Sequence, residues 1–312
     1  MHWKVRAIGQ KVVAALPERA SYQIYNILQK TMGKMNAQSV DPTRLLERTG
    51  LILEQIIAQN RPIRGSTVLE VGTGWKLTTP IALWLCGADK VITVDLNPYL
   101  RPDLVRLEVE YINQNQESVA QILGTVADAD CLRKRLALLE TESELSFENL
   151  MSRTGIEYLS PADAANLPDV GSIDYHISHT VFEHIPRPML LAILQEANRL
   201  MKRDGLCVHY IDLSDHFSHR DRNISEVNFL QFNESEWEFW ANNRYAYHNR
   251  LRVDDYYRLF EEAKFSIVNR VVQQDPQSLA TLKAGLQLAD LFIAKDQETN
   301  AATKLLISAR KV

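Results

Sequence analysis

Gly65-Ser66-Thr67-Val68-Leu69-Glu70-Val71-Gly72-Thr73-Gly74-Trp75 runs on through an apolar segment to Lys90-Val91-Ile92-Thr93-Val94-Asp95. Thr67–Val71 is a short apolar run that carries one acid and stops at two glycines. A buried parallel strand entering a tight turn has this pattern. Glycine there permits positive φ and lets a ligand approach the main chain. Pro80 suits the first turn of a helix. Ile81, Leu83, Trp84 and Leu85 give that helix an apolar face, and Gly87 closes it. Lys90–Val94 is a second strand with an acid, Asp95, at its tip. Strand, glycine turn, helix and strand make half of a doubly wound nucleotide-binding sheet.

The turn excludes two common ligand classes. A dinucleotide fingerprint needs a third glycine where Leu77 stands, and Lys76-Leu77-Thr78 does not supply a Walker loop. The acids Glu70 and Asp95 remain. Carboxylates suit a ligand with hydroxyls and a cation rather than a polyphosphate, and S-adenosylmethionine has ribose hydroxyls, an ammonium and a sulfonium. Asp95 is placed to accept from both ribose hydroxyls. Glu70 either orients the glycine loop or faces the amino-acid end of that cofactor.

In these residues the chain resembles the class I S-adenosylmethionine-dependent methyltransferases. Glu70-Val71-Gly72-Thr73-Gly74 is similar to their first motif and Val94-Asp95 to their second. Asp163-Ala164 is similar to the segment that contacts adenine, and Ile173–Ile185 with Glu196–Gly205 to their fourth strand, next helix and turn. The resemblance spans about residues 65–213 and resumes at 251–312. It departs at Lys76, where the family often has a third glycine. It implies an α/β fold, a doubly wound, mostly parallel seven-stranded sheet whose last strand, Lys304–Lys311, is antiparallel. It also implies an S-adenosylmethionine site of Glu70, Gly72, Thr73, Gly74, Asp95, Leu96, Asp163, Ala164 and Thr180. For Asp163 the competing reading is a helix N-cap.

The rest of the chain divides around that sheet. Residues 1–64 have helical spacing and are expected as a helical cap packed on the sheet. The alternative for their basic, aromatic start is peripheral contact with a membrane or a lipid-linked substrate. The resemblance implies a methyltransferase domain over residues 65–312, with a helical insertion expected at 101–155 and a lid insertion at 214–250. The charges Arg133, Lys134 and Arg135 are expected on a solvated face. Lys202 and Arg203 are expected at the C-terminal end of a helix that Gly205 terminates. The lid is rich in aromatics, including Phe229, Trp237 and Trp240, which fit either an acceptor pocket or a small core. Arg250 and Arg252 fit either an anionic group of the acceptor or surface ion pairs.

Methyl transfer is an in-line displacement, so the protein must align donor and nucleophile and, for a hydroxyl acceptor, remove a proton. Asp212-Leu213-Ser214-Asp215-His216 leaves the fifth strand at the sheet's C-terminal edge. His216 is the expected base, with Asp212 or Asp215 orienting it or binding the acceptor; His179 is a further candidate and His184 is read as structural. A structural loop and a metal site compete for the same stretch, and no metal is assigned.

Composition narrows the field further. A net charge of −4 argues against a general nucleic-acid binder. Cys86, Cys131 and Cys207 form no Cys-x-x-Cys pair and fit a reducing cytoplasm. No apolar run reaches the roughly 20 residues a bilayer needs, and the start is read as carrying no export signal. The expected function is methylation of a small-molecule or glycan acceptor, on oxygen. The alternatives are another transferase using the same cofactor or a non-catalytic cofactor-binding scaffold.

Overall fold

A computed structural model of the chain describes residues 2–17, 20–25, 27, 41–141, 146–168 and 170–312. The central sheet has the order β3-β2-β1-β4-β5-β7-β6. Its strands are β1 (Thr67–Val71), β2 (Lys90–Val94), β3 (Ile156–Leu159), β4 (Ile173–His179), β5 (Met201–Asp212), β6 (Phe265–Gln274) and β7 (Ala302–Lys311). β7 alone is reversed, pairing antiparallel with β5 and β6. β1 and β2 are runs rich in β-branched residues and have the bounds that the sequence pattern predicts.

Both faces of the sheet are covered, which is why its strands are apolar on both sides. Alternation along β1 sends Val68 to one layer and Leu69 and Val71 to the other. The first layer is closed by α2 (Thr43–Ala58), α3 (Thr78–Leu85) and the insertion helices α4 (Pro102–Gln114), α5 (Gln116–Leu123), α6 (Ala129–Thr141) and α7 (Phe147–Thr154). The second layer is closed by α8 (Arg187–Leu200) and α10 (Val253–Glu262). In α2 the buried Leu46, Ile52, Leu53 and Ile56 lie at helical spacing and face the sheet.

The described N-terminal helices pack in two different places. α1 (Trp3–Ala14) packs on the 214–250 segment, which contains α9 (Glu234–Ala241), instead of the sheet. Its buried Trp3 and Ala7 join Phe217, Phe229 and Trp237, together with Leu282 of α11 (Pro276–Lys283) and Phe292 of α12 (Asp290–Ile293), in a third small core. The Trp3 N–H also donates to Asp221 Oδ2 at 2.8 Å. Burying a large apolar side chain contributes roughly 3 kcal/mol at most, so α1 is held by this one anchor more than by its exposed Val5, Ile8 and Val12.

The insertion between β2 and β3 is helical as expected and holds α4 to α7 among the described residues; Ser146 caps α7 and Gly155 ends it at φ +63. Other expectations change. Arg135 is not on a solvated face. Its guanidinium donates to Trp84 O, which also accepts from the Gly87 N–H, and to Ala88 O (2.6 Å) just beyond α3. α8 ends at Leu200, and Met201 already pairs with Ile173 in the sheet. Lys202 therefore lies on β5 and binds Asp174 at 2.8 Å. Gly205 is a strand residue, where a Cβ would meet Met201 Cε at 2.8 Å. No described helix is long and apolar enough to cross a membrane.

Candidate active site

The strand order reverses between β1 and β4, and a crevice opens there at the carboxyl ends of the strands. It holds a pocket of about 650 Å³, within the range of small-molecule sites. Its floor is the turn after β1. Gly72 has φ +89, and a Cβ there would lie 2.3 Å from Val181 Cγ2. Gly74 has φ +66 with open space where a Cβ would point. The first glycine is demanded by close packing against the turn after β4. The second keeps side-chain atoms out of the pocket.

Two acids hold this turn. Glu70 is fully buried and accepts a 2.5 Å hydrogen bond from Thr93 Oγ1, which lies 2.6 Å from Thr73 Oγ1. Burial pushes the Glu70 carboxyl up to about 7, against the pull of hydrogen bonds from Thr93 and Thr79. Asp95 Oδ2 accepts from the Gly74 N–H at 2.9 Å and Oδ1 from the Asn97 N–H at 3.0 Å. Each carboxylate oxygen has a second lone pair, so Asp95 can brace the turn and still accept from a ligand. Burial raises its carboxyl as well.

The other side of the pocket comes from β3 and β4. Asp163 Oδ1 accepts from the Ala165 N–H at 2.9 Å in an Asx turn. No helix starts there, so Asp163 is not an N-cap. Thr180 sits at φ +50, rare for a β-branched residue, with its N–H donating to Tyr210 O at 2.8 Å. Such strain is most often kept at functional sites. His179 stacks on Tyr210, with ring centroids 5.2 Å apart, and its Nδ1 lies 3.2 Å from Thr180 Oγ1. Its Nε2 is buried without a partner. Burial, then the Arg48 and Arg44 charges, push its pKa down to about 3, so the ring is neutral at physiological pH.

All nine residues expected at the cofactor line this one pocket. Of the four groups expected to do acid–base work, His179 lines it; Asp212, Asp215 and His216 do not. Asp215 is fully buried, with Oδ1 accepting from the Phe217 N–H (2.9 Å) and Oδ2 from Asn228 Nδ2 (3.1 Å). Asp212 Oδ1 accepts from the N–H and hydroxyl of Ser214. Both acids thus shape the loop after β5. His216 stands one residue back from the pocket, its ring 4.9 Å from that of His184, which is part of the lining.

Neither arginine lines the pocket, and the ion-pair reading holds for Arg250 alone, through the exposed Glu234. Arg250 donates to Phe229 O (3.1 Å), Phe232 O and Glu234 (2.7 Å), and Arg252 is wholly buried, donating to Leu213 O (2.8 Å), Asn300 O (3.1 Å) and Ala302 O. They tie loops to the sheet. The lid aromatics Phe229 and Trp237 are buried in the third core, away from the pocket lining.

Several lining residues carry no motif. Tyr99 lies in the pocket and stacks on Tyr22 at 6.1 Å. Leu45 reaches it from α2, and Lys76 lies 3.7 Å from the buried Glu108 of α4. Glu108 also accepts from the Leu77 N–H (3.1 Å) and the Thr78 hydroxyl, clamping the start of α3. A buried acid inside the insertion, at helical spacing with Leu104 and Ile112, was the available signal for this clamp.

Six strands run one way, β7 is inserted antiparallel between β5 and β6, and the glycine turn opens at the reversal point. This is the class I methyltransferase fold. Solved structures with that fold resemble the chain at low identity. Magnesium protoporphyrin IX methyltransferase from Synechocystis PCC 6803, with bound SAH, matches at 11% identity and TM-score 0.47, over 97% of this chain and 99% of that one. An S-adenosylmethionine-dependent methyltransferase from Clostridium acetobutylicum matches at 11% and 0.46, over 93% and 98%. Geranyl diphosphate methyltransferase in complex with SAM matches at 13% and 0.44, over 97% and 95%. No protein-family model and no curated protein matches the sequence.

Proposed function

We propose that the chain is an S-adenosylmethionine-dependent methyltransferase acting on oxygen of a small-molecule or glycan acceptor. What supports the reading is the pocket itself: a glycine turn crowded at Gly72 and open at Gly74, with Asp95 at the next strand tip and Asp163 across from it. The set has carboxylates for hydroxyls and an amino group, and it lacks the glycine pattern that a pyrophosphate needs. Asp95 would hold the ribose, Asp163 and Ala164 the adenine, and Glu70 with Thr73 the turn beneath the amino-acid end. Leu96 and Thr180 complete the lining. The chemistry such a cofactor brings is a methyl carbon on a sulfonium sulfur, open to in-line attack.

The chain's own part is alignment and proton removal. His179 is neutral and its Nε2 lacks a partner, so it can accept a hydrogen bond from the acceptor's hydroxyl and orient it; with its pKa held at about 3 it is a weak base, which would take the proton only as the methyl group transfers. His216 does not reach the pocket, and its ring packs edge-on against that of His184. The three cysteines are free thiols, in keeping with work in the cytoplasm.

Calorimetry with S-adenosylhomocysteine beside NAD tests the cofactor. Binding of the first alone is expected, and preference for NAD overturns the assignment. Release of S-adenosylhomocysteine with hydroxylated acceptors then separates a methyltransferase from a scaffold, which would bind without turnover.

A further inference from the structure

Glu183 is buried in the single-turn helix Phe182–His184 after β4, and both its carboxylate oxygens lack a hydrogen-bond partner. The N–H groups of Glu183 and Asp212 lie near the carboxyl but do not reach hydrogen-bond geometry. A buried polar group left unpaired calls for an explanation. The neighbouring rings supply one. His184 Nδ1 is 2.9 Å from Tyr247 O, so it carries the proton and donates, leaving the lone pair on Nε2. His216 Nε2 is buried and has no partner. One donor atom each from Glu183, His184 and His216 lies within 4.8 Å of the other two.

We propose that Glu183, His184 and His216 form a binding site for one divalent transition-metal cation. Two imidazoles and a carboxylate, without a thiolate, suit Zn²⁺, Mn²⁺, Fe²⁺ or Co²⁺ better than Mg²⁺ or Ca²⁺, which prefer oxygen alone. Metal–ligand bonds of about 2.0–2.2 Å require the three ligand atoms to draw together around the cation from their present spacing, within 4.8 Å of one another. The His184–Tyr247 bond is the outer support that metal-bound imidazoles ordinarily have, fixing tautomer and ring plane. The ligands come from the turn after β4 and the loop after β5, so a cation there joins the pocket wall to the 214–250 segment. Arg48 and Arg6 place positive charge near the cluster and Asp212 negative charge. Arg48 has its guanidinium over the Tyr210 ring, 5.5 Å from its centre.

The second histidine cluster behaves differently. His176 and Cys207 are buried in the sheet beside His209, whose ring nitrogens face His176 Nδ1 (3.3 Å) and Ser178 Oγ (2.8 Å). That set is internally paired.

Cation binding does not depend on the cofactor reading. Its use does: His184 lines the pocket, so an open coordination position there would face the acceptor and polarise its oxygen.

The test uses the full chain, ¹⁵N-labelled at histidine, stripped by chelation and titrated with Zn²⁺. Ring nitrogens of two of the eight histidines should shift and saturate at one Zn²⁺ per chain. His216→Gln should remove one of these shifts and lower affinity about 100-fold or more, and Glu183→Gln about 10-fold or more, the size of a lost supporting group or above. Absence of saturable shifts, shifts confined to other histidines, or unchanged affinity in the folded His216→Gln variant overturns the site. If Glu183→Gln fails to fold, the wild-type spectrum with His216→Gln still decides. S-adenosylhomocysteine calorimetry on the same metal-free sample reads the cofactor separately, so failure of one reading leaves the other measurable.

Discussion

A methyl group added at position 72 has no space and the wrong backbone. Gly72→Ala would place Cβ 2.3 Å from Val181 Cγ2 and 2.9 Å from Cγ1, at φ +89. Holding an L-residue in the left-handed region costs about 1–2 kcal/mol. Forcing a methyl into a filled space costs about 1–3 kcal/mol more. The sum is about 2–5 kcal/mol. With an unfolding entropy near 2.1 cal/mol/K per residue, a chain of this length loses about 1.5 °C of Tm per kcal/mol, so Tm should fall by roughly 3–8 °C. The turn also carries Thr73 and Gly74 into the pocket, and its displacement should weaken S-adenosylhomocysteine binding at least about tenfold, or 1.4 kcal/mol. Val181→Ala in the same chain should recover the crowding part and leave the backbone part, a coupling that a double-mutant cycle reads directly. Scanning calorimetry and ligand titration on the four proteins decide it. A Gly72→Ala chain with wild-type Tm and affinity would refute the packing argument, and no recovery with Val181→Ala would refute its steric half.

Other perturbations separate support from binding. Asp95→Asn keeps the size of the side chain but weakens its acceptance from Gly74 and Asn97; S-adenosylhomocysteine affinity should drop about 10–100-fold, against a Tm change of a few degrees, and equal affinity would remove Asp95 from the ribose. Glu70 titrates at about 7 in the fold, above its unfolded value. The folded chain therefore holds a proton that the unfolded chain has released between about pH 4.5 and 7, and stability falls as pH rises through that window. Denaturant titrations at pH 5 and 8 should show a smaller pH loss in Glu70→Gln than in the wild type, and parallel losses would count against a buried, protonated Glu70. Arg252→Met strands the carbonyls of Leu213, Asn300 and Ala302 and should cost about 3–5 kcal/mol in urea unfolding; a cost below about 1 kcal/mol would mean that those carbonyls find other donors.

What the sequence discloses here follows the range of the interactions. β1, β2 and the turn between them are local features, because β-branched runs and glycines at fixed spacing leave few alternatives. The residues picked from those motifs line one pocket for the same reason: they sit at the ends of adjacent parallel strands. Long-range features were not legible. A charged residue such as Arg252 reads as surface until its carbonyl partners, from 213 to 302, are known. Met201 continues the apolar period of α8, so nothing local marks the switch to strand; pairing with Ile173 does. The apolar face of α1 is the same whether its partner is the sheet or residues 217–241, and only tertiary contacts distinguish them.

The third core gives the chain an unusual schedule of assembly. Trp3 is made before every other part of the cluster that encloses it, and that cluster is finished only by Leu282 and Phe292. At about 5–20 residues per second, the stretch of about 290 residues between them takes roughly 15–60 s to make. Through that interval a tryptophan-bearing helix waits without its site while the sheet strands β1 to β5 are already available to pair. The Trp3 helix is thus made before the last pieces of its own site and docks fully only after they appear, so its apolar face needs cover in the meantime.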